Sequence, residues 1–279
     1  AWLMNRPAGN TEGSMVATGG QDPIVAQIDP QYAQMVAQFN GLIEAKQKEI
    51  QSIEKDNPEL FHQFSQDIRK LGRKALTVKS DVTNPGEVDD MVKKALAEYG
   101  RIDILVNNAG ASPAKGSVLE CDERLWDKLM DINLKGAYFI SQAAANIMVK
   151  QGGGKIINIA SIDGYNPEPG LSIYAISKAG IRMMTRAFAS ELIRHNIQVN
   201  TIAPGPIATK MLKSNWEFLP PEDARKVKEM VEKMLPSGRI GEPDEIAGAA
   251  LYLASSASSY TTGAEIVIDG GVLLGIHGS

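Results

Sequence analysis

The stretch Lys155–Ile181 reads KIINIASIDGYNPEPGLSIYAISKAGI, and the expected fold follows from it. Its apolar start, from Ile156 to Ile159, is typical of a buried parallel strand. A loop rich in proline and glycine comes next, and then a helix that carries Tyr174 and Lys178. A spacing of four places the phenol and the ammonium one turn apart on the same helical face. The stretch therefore predicts polar groups at the carboxyl end of a sheet, where open α/β folds bind ligands.

Strands and helices alternate from Arg73 to the end of the chain. Besides the strand of the opening stretch, strands are predicted at Ala75–Val78, Ile102–Val106, Ile197–Ile202 and Glu265–Ile268. Besides the helix of Tyr174, helices are predicted at Glu87–Tyr99, Glu123–Lys150, Pro221–Leu235 and Asp244–Ala254. Elements of this length in alternation indicate a doubly wound, Rossmann-like parallel sheet with helices on both faces, in a single α/β domain.

The first part of the chain departs from this alternation. Residues 1–14 show no periodicity and are predicted to be a flexible tail or an expression remnant. Residues 15–72 are predicted to be a divergent or replaced first Rossmann segment, and residues 73–279 the catalytic α/β domain. Apolar residues recur at helical spacing between Tyr32 and Leu71, which indicates a divergent helical N-terminal segment.

Composition and charge argue against several classes of function. A net charge of −4 and a pI near 5.5 give no electrostatic reason to expect nucleic acid or an anionic membrane. No apolar run approaches the roughly 20 residues of a membrane span, and no secretory signal is visible. Cys121 is the only cysteine, so no internal disulfide forms, and a cytoplasmic location is the default expectation. The three histidines lie far apart, so no metal site is predicted.

Seven short motifs occur in a fixed order with specific spacing. They are Asp81-Val82, Asn107-Asn108-Ala109-Gly110, Asn133, Ser161, Tyr174-Ala175-Ile176-Ser177-Lys178, Pro204-Gly205-Pro206-Ile207-Ala208-Thr209 and Asp269-Gly270-Gly271. Each is weak alone, and Tyr-x-x-x-Lys is also a common surface pairing. Together they resemble the short-chain dehydrogenase/reductase family, in particular its 3-oxoacyl-carrier-protein reductase and gluconate dehydrogenase types. The resemblance covers the chain from about Leu71 to its C-terminus.

The resemblance implies an NAD(P)-dependent oxidoreductase that transfers a hydride between a nicotinamide dinucleotide and a secondary alcohol or ketone. Tyr174 would be the general acid/base, with the Lys178 ammonium lowering the pKa of its phenol from the ordinary value near 10. Ser161 would hydrogen-bond the substrate oxygen, and Asn133 would hold a water of a proton relay. The alternatives are that Ser161 caps a turn and that Asn133 is a buried packing amide.

The resemblance also implies a set of cofactor contacts. Asp81 and Val82 would contact adenine, and Asn107, Ala109 and Gly110 would lie under the adenosine ribose, where small residues allow a close approach. The further contacts would be Tyr174, Lys178 on the nicotinamide ribose, Pro204, Gly205, and the pair Ile207 and Thr209 on the carboxamide. Alternatively, the motif Asn107–Gly110 is a plain turn that fixes the central sheet.

The glycine loop of the family, T-G-x-x-x-G-I-G, is not matched. The nearest candidate is TGGQDPIV at Thr18–Val25, in which Pro23 and Val25 replace the second and third glycines. Those glycines let the backbone approach a diphosphate at a helix N-terminus, so dinucleotide binding and the choice between NAD and NADP stay open. The segment is divergent, replaced by helix, or altered in sequence. The runner-up function is a cofactor-impaired subunit that partners an intact reductase.

The substrate pocket is expected between Ser112–Ala114, Asp163–Asn166 and Met211–Lys226. The last segment, which contains Trp216, is either a mobile lid or a surface excursion packed by its aromatic residues. Asp163 would recognise a cationic or hydroxyl group, or merely cap the loop. The expected partner is a small-molecule alcohol or ketone. The chain is expected to form a homotetramer through outward residues of its long helices (Ala143, Ile147, Ile181 and Phe188), or a heteromer with an intact relative.

Overall fold

The computed structural model describes residues 65–112, 116–214 and 216–275. A helix covers residues 65–70, and the chain leaves it through Gly72, whose φ of 73° suits a residue without a side chain. A division between Ala75 and Leu76 separates the short unit that ends there from the α/β unit that follows. Residues 1–64, with the TGGQDPIV loop and most of the helical segment, lie outside the described part, so the interpretations placed on them stay predictions.

The second unit is built on a parallel sheet of four described strands. They are β1 (Ile104–Asn107), β2 (Gly154–Ile159), β3 (Ile197–Pro204) and β4 (Glu265–Ile268). Their spatial order equals their order in the chain, and every neighbouring pair is parallel. The doubly wound α/β fold predicted from the sequence is confirmed, and all carboxyl ends of these strands lie at one edge of the sheet.

The strand predicted at Ala75–Val78 is wrong. The structure gives this segment no regular secondary structure, and Leu76 is 41% exposed. A strand needs the hydrogen bonds of a neighbouring strand, and β1 pairs only with β2 among the described strands. Val78 still packs against the main apolar core. The apolar residues of this segment therefore indicate burial, but not hydrogen bonding to a neighbouring strand.

Helices occupy most of the connections between strands. They are α1 (Pro85–Tyr99), α2 (Glu123–Met130), α3 (Gly136–Lys150), α4 (Ser172–Leu192), α5 (Lys210–Lys213), α6 (Pro221–Met234) and α7 (Pro243–Ala254). The long helix predicted at Glu123–Lys150 is interrupted between α2 and α3 by a π-helical turn, Asp131–Lys135. Such turns widen a helix by one residue and often occur at functional sites.

The two faces of the sheet bury different helices because successive strand residues point in opposite directions. Ile156 of β2 belongs to the core that also contains residues of α1, α3 and α4. Ile157, the next residue, packs with Leu253 of α7 in a separate core. Both isoleucines are almost fully buried, at 0% and 1% exposure. β2 is therefore held between two apolar cores, one on each face of the sheet, and these cores fix the position of its carboxyl end.

The segment between β3 and α7 has a small core of its own. Trp216, Leu235 and Ile240 are buried together, and partly buried residues of α5 and α6 pack against them. This packing around Trp216 agrees with the packed excursion, and the interpretation of Met211–Lys226 as a mobile lid stays a prediction.

Candidate active site

Ser161 lies two residues after the end of β2 and is buried at 7% exposure. Its backbone is extended, with φ −165° and ψ 157°, and it begins a 3₁₀ turn over Ile162–Gly164. Its Oγ accepts a hydrogen bond from the Asp163 N–H at 3.1 Å. Ser161 therefore caps a turn, which was the alternative considered for it. Its hydroxyl also belongs to the cluster described next.

Tyr174 and Lys178 lie on one face of α4 and are buried at 9% and 5% exposure. The Lys178 Nζ atom donates a 3.0 Å hydrogen bond to the carbonyl oxygen of Ile159, the last residue of β2. The same Nζ lies 5.6 Å from the centroid of the Tyr174 ring. The phenol also shares a hydrogen bond with Ser161. The structure thus brings Ser161, Tyr174 and Lys178 together at the carboxyl edge of the sheet.

Burial dominates the protonation of this cluster. It raises the pKa of the Tyr174 phenol to about 12, although the hydrogen bond with Ser161 acts in the opposite direction. Burial also lowers the pKa of the Lys178 ammonium to about 8. The net shift of the Tyr174 pKa is therefore upward, opposite to the fall expected beside Lys178, because the loss of hydration is its largest cause. Both groups are pushed toward their neutral forms.

Asp163 is the acidic residue of the site. Its Oδ2 accepts a 3.0 Å hydrogen bond from the Ser161 hydroxyl, and its Oδ1 accepts one from the Glu168 N–H at 3.2 Å. Its negative charge raises the pKa of both Tyr174 and Lys178. Of the two roles considered for Asp163, the loop cap is present, and the carboxylate is close enough to the reacting groups to affect them electrostatically.

Asn133 lies in the π-helical turn and is 1% exposed. Its Oδ1 accepts a hydrogen bond from the Ala111 N–H at 2.7 Å. Its Nδ2 donates to the Ala111 carbonyl at 2.9 Å and to the Ser177 Oγ at 3.0 Å. The buried amide thus ties the loop after β1 to α4, and the relay role implied by the resemblance stays a prediction.

The motif after β1 borders a shallow crevice at the carboxyl edge. Asn107, Asn108, Ala109 and Val82 are among its lining residues. An added Cβ at Gly110 would lie 3.5 Å from both the Asn133 Oδ1 and the Lys178 Nζ. The absence of a side chain at Gly110 therefore leaves space beside Asn133 and Lys178.

Other cofactor candidates on this side are engaged within the protein. The Asp81 Oδ1 accepts hydrogen bonds from the N–H and the hydroxyl of Thr83, and the Val82 side chain is buried in the core. The Asn107 Nδ2 donates to the Ser141 Oγ at 2.8 Å and to the Asn158 Oδ1 at 2.7 Å. The Asn107 side chain thus fixes the central sheet, which was the alternative considered for this motif.

The motif after β3 is held at the end of β4. The Gly205 N–H donates to the Ile268 carbonyl at 2.9 Å, and a Cβ at Gly205 would come within 2.7 Å of the Asp269 Cα. Ile207 is buried and forms a bridge with Gly241, whereas Thr209 is exposed just before α5. The motifs containing Pro204–Thr209 and Asp269–Gly271 therefore interlock, as their shared position at strand ends predicts.

Two contributors to the site were missed by sequence reasoning. The carbonyl of Ile159 is a main-chain group, and no residue type signals it. Ser177 supports Asn133 and donates to the Tyr174 carbonyl at 2.7 Å; its place inside Tyr-x-x-x-Lys was the only available signal. Of the residues expected to frame the pocket, Pro113 and Ala114 lie outside the described residues.

One of the residues expected at a subunit contact is misplaced. Ile181 is 2% exposed and belongs to the core of its own chain, because it faces the sheet from α4. The exposed large apolar side chains of the long helices are instead Tyr138, Phe139 and Val149 on α3, and Ile176 and Met183 on α4.

Among the described residues, no group of three or more His, Cys, Asp or Glu side chains is arranged to hold a metal ion. No described helix combines the length and the apolar character needed to cross a membrane.

Comparison with known proteins gives a consistent set of relatives. The family model described as enoyl-(acyl carrier protein) reductase matches residues 51–273. The chain is 41% identical over 194 residues to 3-oxoacyl-[acyl-carrier-protein] reductase of Thermotoga maritima, covering 70% of this chain and 75% of that one. It is 41% identical over 207 residues to 2-dehydro-3-deoxy-D-gluconate 5-dehydrogenase of Escherichia coli, covering 74% and 79%.

A solved structure agrees with these relatives. A gluconate 5-dehydrogenase from Burkholderia cenocepacia, in complex with NADP and tartrate, superposes with a TM-score of 0.70 at 33% identity. The match covers 77% of this chain and 81% of the other. These comparisons support the oxidoreductase interpretation and give no support to the alternative of a cofactor-impaired subunit.

Proposed function

The chain belongs to the short-chain dehydrogenase/reductase family and is an NAD(P)-dependent oxidoreductase of alcohols and ketones, and on this premise we propose how its residues divide the work. Tyr174 exchanges the proton with the substrate oxygen, Ser161 hydrogen-bonds that oxygen, and Lys178 sets the charge beside the phenol. The observation that carries this assignment is the position of the Lys178 ammonium, anchored on the Ile159 carbonyl and 5.6 Å from the Tyr174 ring centroid.

The protonation of Tyr174 suits the direction of ketone reduction. With its pKa raised to about 12 by burial, the phenol holds its proton at neutral pH and can donate it to the oxygen of a ketone. In the opposite direction the same oxygen takes the proton of an alcohol, and a positive charge on Lys178 then favours the phenolate. Ser161, hydrogen-bonded to the phenol, is placed to stabilise negative charge that develops on the substrate oxygen.

The described residues fit the adenosine side of a dinucleotide. Asn108 and Ala109 line a small cavity at the end of β1, and the missing side chain at Gly110 leaves room next to Lys178. When bound, the nicotinamide ring supplies or accepts the hydride. We assign the adenine contact to Asp81 and Val82, the ribose contacts to Asn107–Gly110 and Lys178, and the carboxamide contacts to Ile207 and Thr209. Tyr174, Pro204 and Gly205 complete the proposed set.

The substrate is a secondary alcohol or ketone small enough to enter between Asp163 and the segment around Trp216. The relatives named above act, by their names, on a 3-oxoacyl carrier protein and on a sugar acid. We infer that the chain works in the cytoplasm, in keeping with its single free cysteine, Cys121.

We also infer that the chain assembles as a homotetramer through α3 and α4. Tyr138 and Phe139 are 42% and 47% exposed, and the Tyr138 ring packs edge-on against Phe139 and Phe188. An exposed aromatic cluster of this kind is typical of an interface. Light scattering of the purified chain tests the assembly: a tetramer that Phe139→Lys dissociates supports it, whereas a monomeric wild type contradicts it.

Titration of the purified chain with NAD(H) and NADP(H), followed by nicotinamide fluorescence, tests the proposed function. We expect binding of at least one dinucleotide, a modest loss of affinity in Tyr174→Phe because only the hydroxyl of one proposed contact is removed, and loss of turnover in that variant. Tyr260→Phe, at a fully exposed phenol, is the matched control and should keep full turnover. If neither dinucleotide binds at millimolar concentration, or if Tyr174→Phe turns over normally, the proposal is wrong.

A further inference from the structure

Three side chains pack together behind the loop that carries Ser161. They are Tyr165, at the end of that loop, Arg182 on α4, and Glu265 at the start of β4. The side chains of Arg182 and Glu265 are 25% and 16% exposed, so the ion pair between them is largely shielded from water. Arg182 and Glu265 belong to none of the motifs from which the active site was predicted, and Tyr165 was expected only as part of the Asp163–Asn166 segment beside the substrate pocket.

Arg182 makes a different contact with each neighbour. Its Nε donates to the Glu265 Oε2 at 2.7 Å, and its Nη1 donates to the Gly164 carbonyl at 2.5 Å. Its guanidinium lies flat against Tyr165, with Cζ 3.3 Å from the ring centroid. The Tyr165 hydroxyl closes the arrangement by donating to the same Glu265 oxygen. Only a planar cation with several fixed N–H directions can make all of these contacts at once.

The electrostatics of the cluster favour a permanently charged pair. Burial alone would raise the pKa of the Glu265 carboxyl, but the hydrogen bonds from Tyr165 and Arg182, with the nearby charge of Arg186, lower it from its ordinary value. Burial and the hydrogen bond to Glu265 raise the pKa of the Tyr165 phenol, which therefore keeps its proton. At neutral pH the cluster therefore holds a charged Arg182–Glu265 pair and a neutral Tyr165 phenol.

The loop held by this cluster has little freedom. An added Cβ at Gly164 would come within 2.9 Å of the Ala179 nitrogen and the Lys178 carbonyl carbon, so the loop backbone rests directly on α4. Ser161 lies three residues before Gly164, and the Gly164 N–H donates to the Ser161 carbonyl at 3.1 Å. A displacement of Gly164 away from α4 is therefore passed on to Ser161.

We propose that Arg182 is a positioning residue of the active site. Through the Gly164 carbonyl and the Tyr165 ring it holds the Ser161 loop against α4, and so fixes the Ser161 hydroxyl at its distance from the Tyr174 phenol. Glu265 orients the guanidinium from the other side. This inference rests on the function proposed above, because it assumes that Ser161 and Tyr174 act on the substrate oxygen.

Graded variants test the proposal in the full-length protein. Arg182→Lys keeps the charge and removes the planar fork, Glu265→Gln removes the anion, and Tyr165→Phe removes only the hydroxyl. Arg101→Lys is the matched control, because Arg101 pairs with Asp103 just before β1 and is 60% exposed. For each protein the measurements are kcat, dinucleotide Kd, the pH profile of alcohol oxidation, and the melting temperature.

We expect Arg182→Lys to lower kcat by roughly 10- to 100-fold, since small displacements of reacting groups cost about this much. Dinucleotide Kd should stay close to that of the wild type. The pH profile of alcohol oxidation should move to higher pH, because a displaced Ser161 no longer hydrogen-bonds Tyr174, while Lys178 and Asp163, the charged groups that face the phenol, are unchanged. Glu265→Gln should act in the same direction, and Tyr165→Phe more weakly.

Two outcomes would overturn the proposal. The first is that the Arg182 and Glu265 variants melt at a lower temperature but have the same kcat and pH profile as Arg101→Lys. The cluster would then stabilise the fold without influencing Ser161. The second is an equal loss of dinucleotide affinity, which a general disturbance of the sheet edge would cause. Retained turnover in Tyr174→Phe would contradict the proposed function itself, and with it the positioning role of Arg182. The two failures are thus distinguished by which variant behaves like the wild type.

Discussion

The carbonyl oxygen of Ile159 accepts a 3.0 Å hydrogen bond from the Nζ atom of Lys178. This contact joins the last residue of β2 to the second turn of α4 and holds a buried ammonium beside the Tyr174 ring. A lysine in such a place is costly for folding, because burial lowers its pKa to about 8. The first prediction follows from that cost.

Lys178→Met is expected to abolish turnover and to stabilise the fold. The fall of the lysine pKa from 10.5 to about 8 corresponds to roughly 3 kcal/mol, of which about 1 kcal/mol is offset by the lost hydrogen bond to Ile159. The gain in the free energy of unfolding over the wild type should be largest near pH 7. It should shrink as the pH rises from about 8 toward 10.5. In that range unfolded wild type binds more protons than native wild type, so the stability of the wild type increases with pH.

Urea unfolding of Lys178→Met at pH 7 and at pH 10 measures this difference. Lys93→Met, at an exposed position on α1, is the control and should change the stability little. A variant that is less stable than the wild type at pH 7 would contradict the estimate.

Alcohol oxidation is expected to accelerate with pH, roughly tenfold per pH unit between pH 6 and 8, because only the Tyr174 phenolate can take the proton and its pKa is raised to about 12. Ketone reduction should vary little in the same interval, since the phenol is protonated throughout. Ser161→Ala should move the oxidation profile to higher pH, because the hydrogen bond between Ser161 and the phenol lowers the Tyr174 pKa. Initial rates of oxidation and reduction between pH 6 and 8 test these expectations. Ser190→Ala, on the exposed side of α4, is the control. An oxidation rate that does not change with pH would rule out Tyr174 as the base.

Asn158→Leu is expected to destabilise the fold by roughly 1–3 kcal/mol, the cost of leaving buried polar groups without partners. The Asn158 amide links β1 to α4, because it accepts from the Asn107 Nδ2 at 2.7 Å and donates to the Thr185 Oγ1 at 2.9 Å. Thr201→Val removes only the hydroxyl at the end of this chain, which lies 2.6 Å from the Thr185 Oγ1, and should cost less. Chemical denaturation measures the two losses in the free energy of unfolding. Equal losses would show that the Asn158 amide contributes no more to stability than the Thr201 hydroxyl.

Gly164→Ala is expected to lower both stability, by roughly 1–3 kcal/mol, and kcat, because its Cβ would meet the backbone of α4 at 2.9 Å. Gly248→Ala, in α7, is the opposite case: nothing lies within 4 Å of its Cβ, so the substitution should stabilise the helix by up to about 1 kcal/mol. Thermal unfolding and kcat of the two variants give the comparison. A Gly164→Ala protein with wild-type kcat would mean that the loop tolerates displacement.

The sequence by itself determined the elements whose pattern is local. The strands predicted at Ile156–Ile159 and Glu265–Ile268 both form, because each is a short run of β-branched residues ended by small or polar ones. Tyr174 and Lys178 share a helical face for the same reason, since a spacing of four fixes their relation in any α-helix. The family resemblance then supplied the proposed site residues without any distance being known.

The tertiary structure decided what depends on partners distant in the chain. Ala75–Val78 has the composition of a strand but no described neighbour to pair with, and the π-helical turn at Asn133 has no signature beyond a polar residue within a helix. The pKa of Tyr174 was expected to fall beside Lys178 and instead rises, because burial of the phenol depends on everything packed around it. Likewise, only the fold brings Glu265 to Arg182, since 83 residues separate them in the chain and local pattern carries no information over that distance.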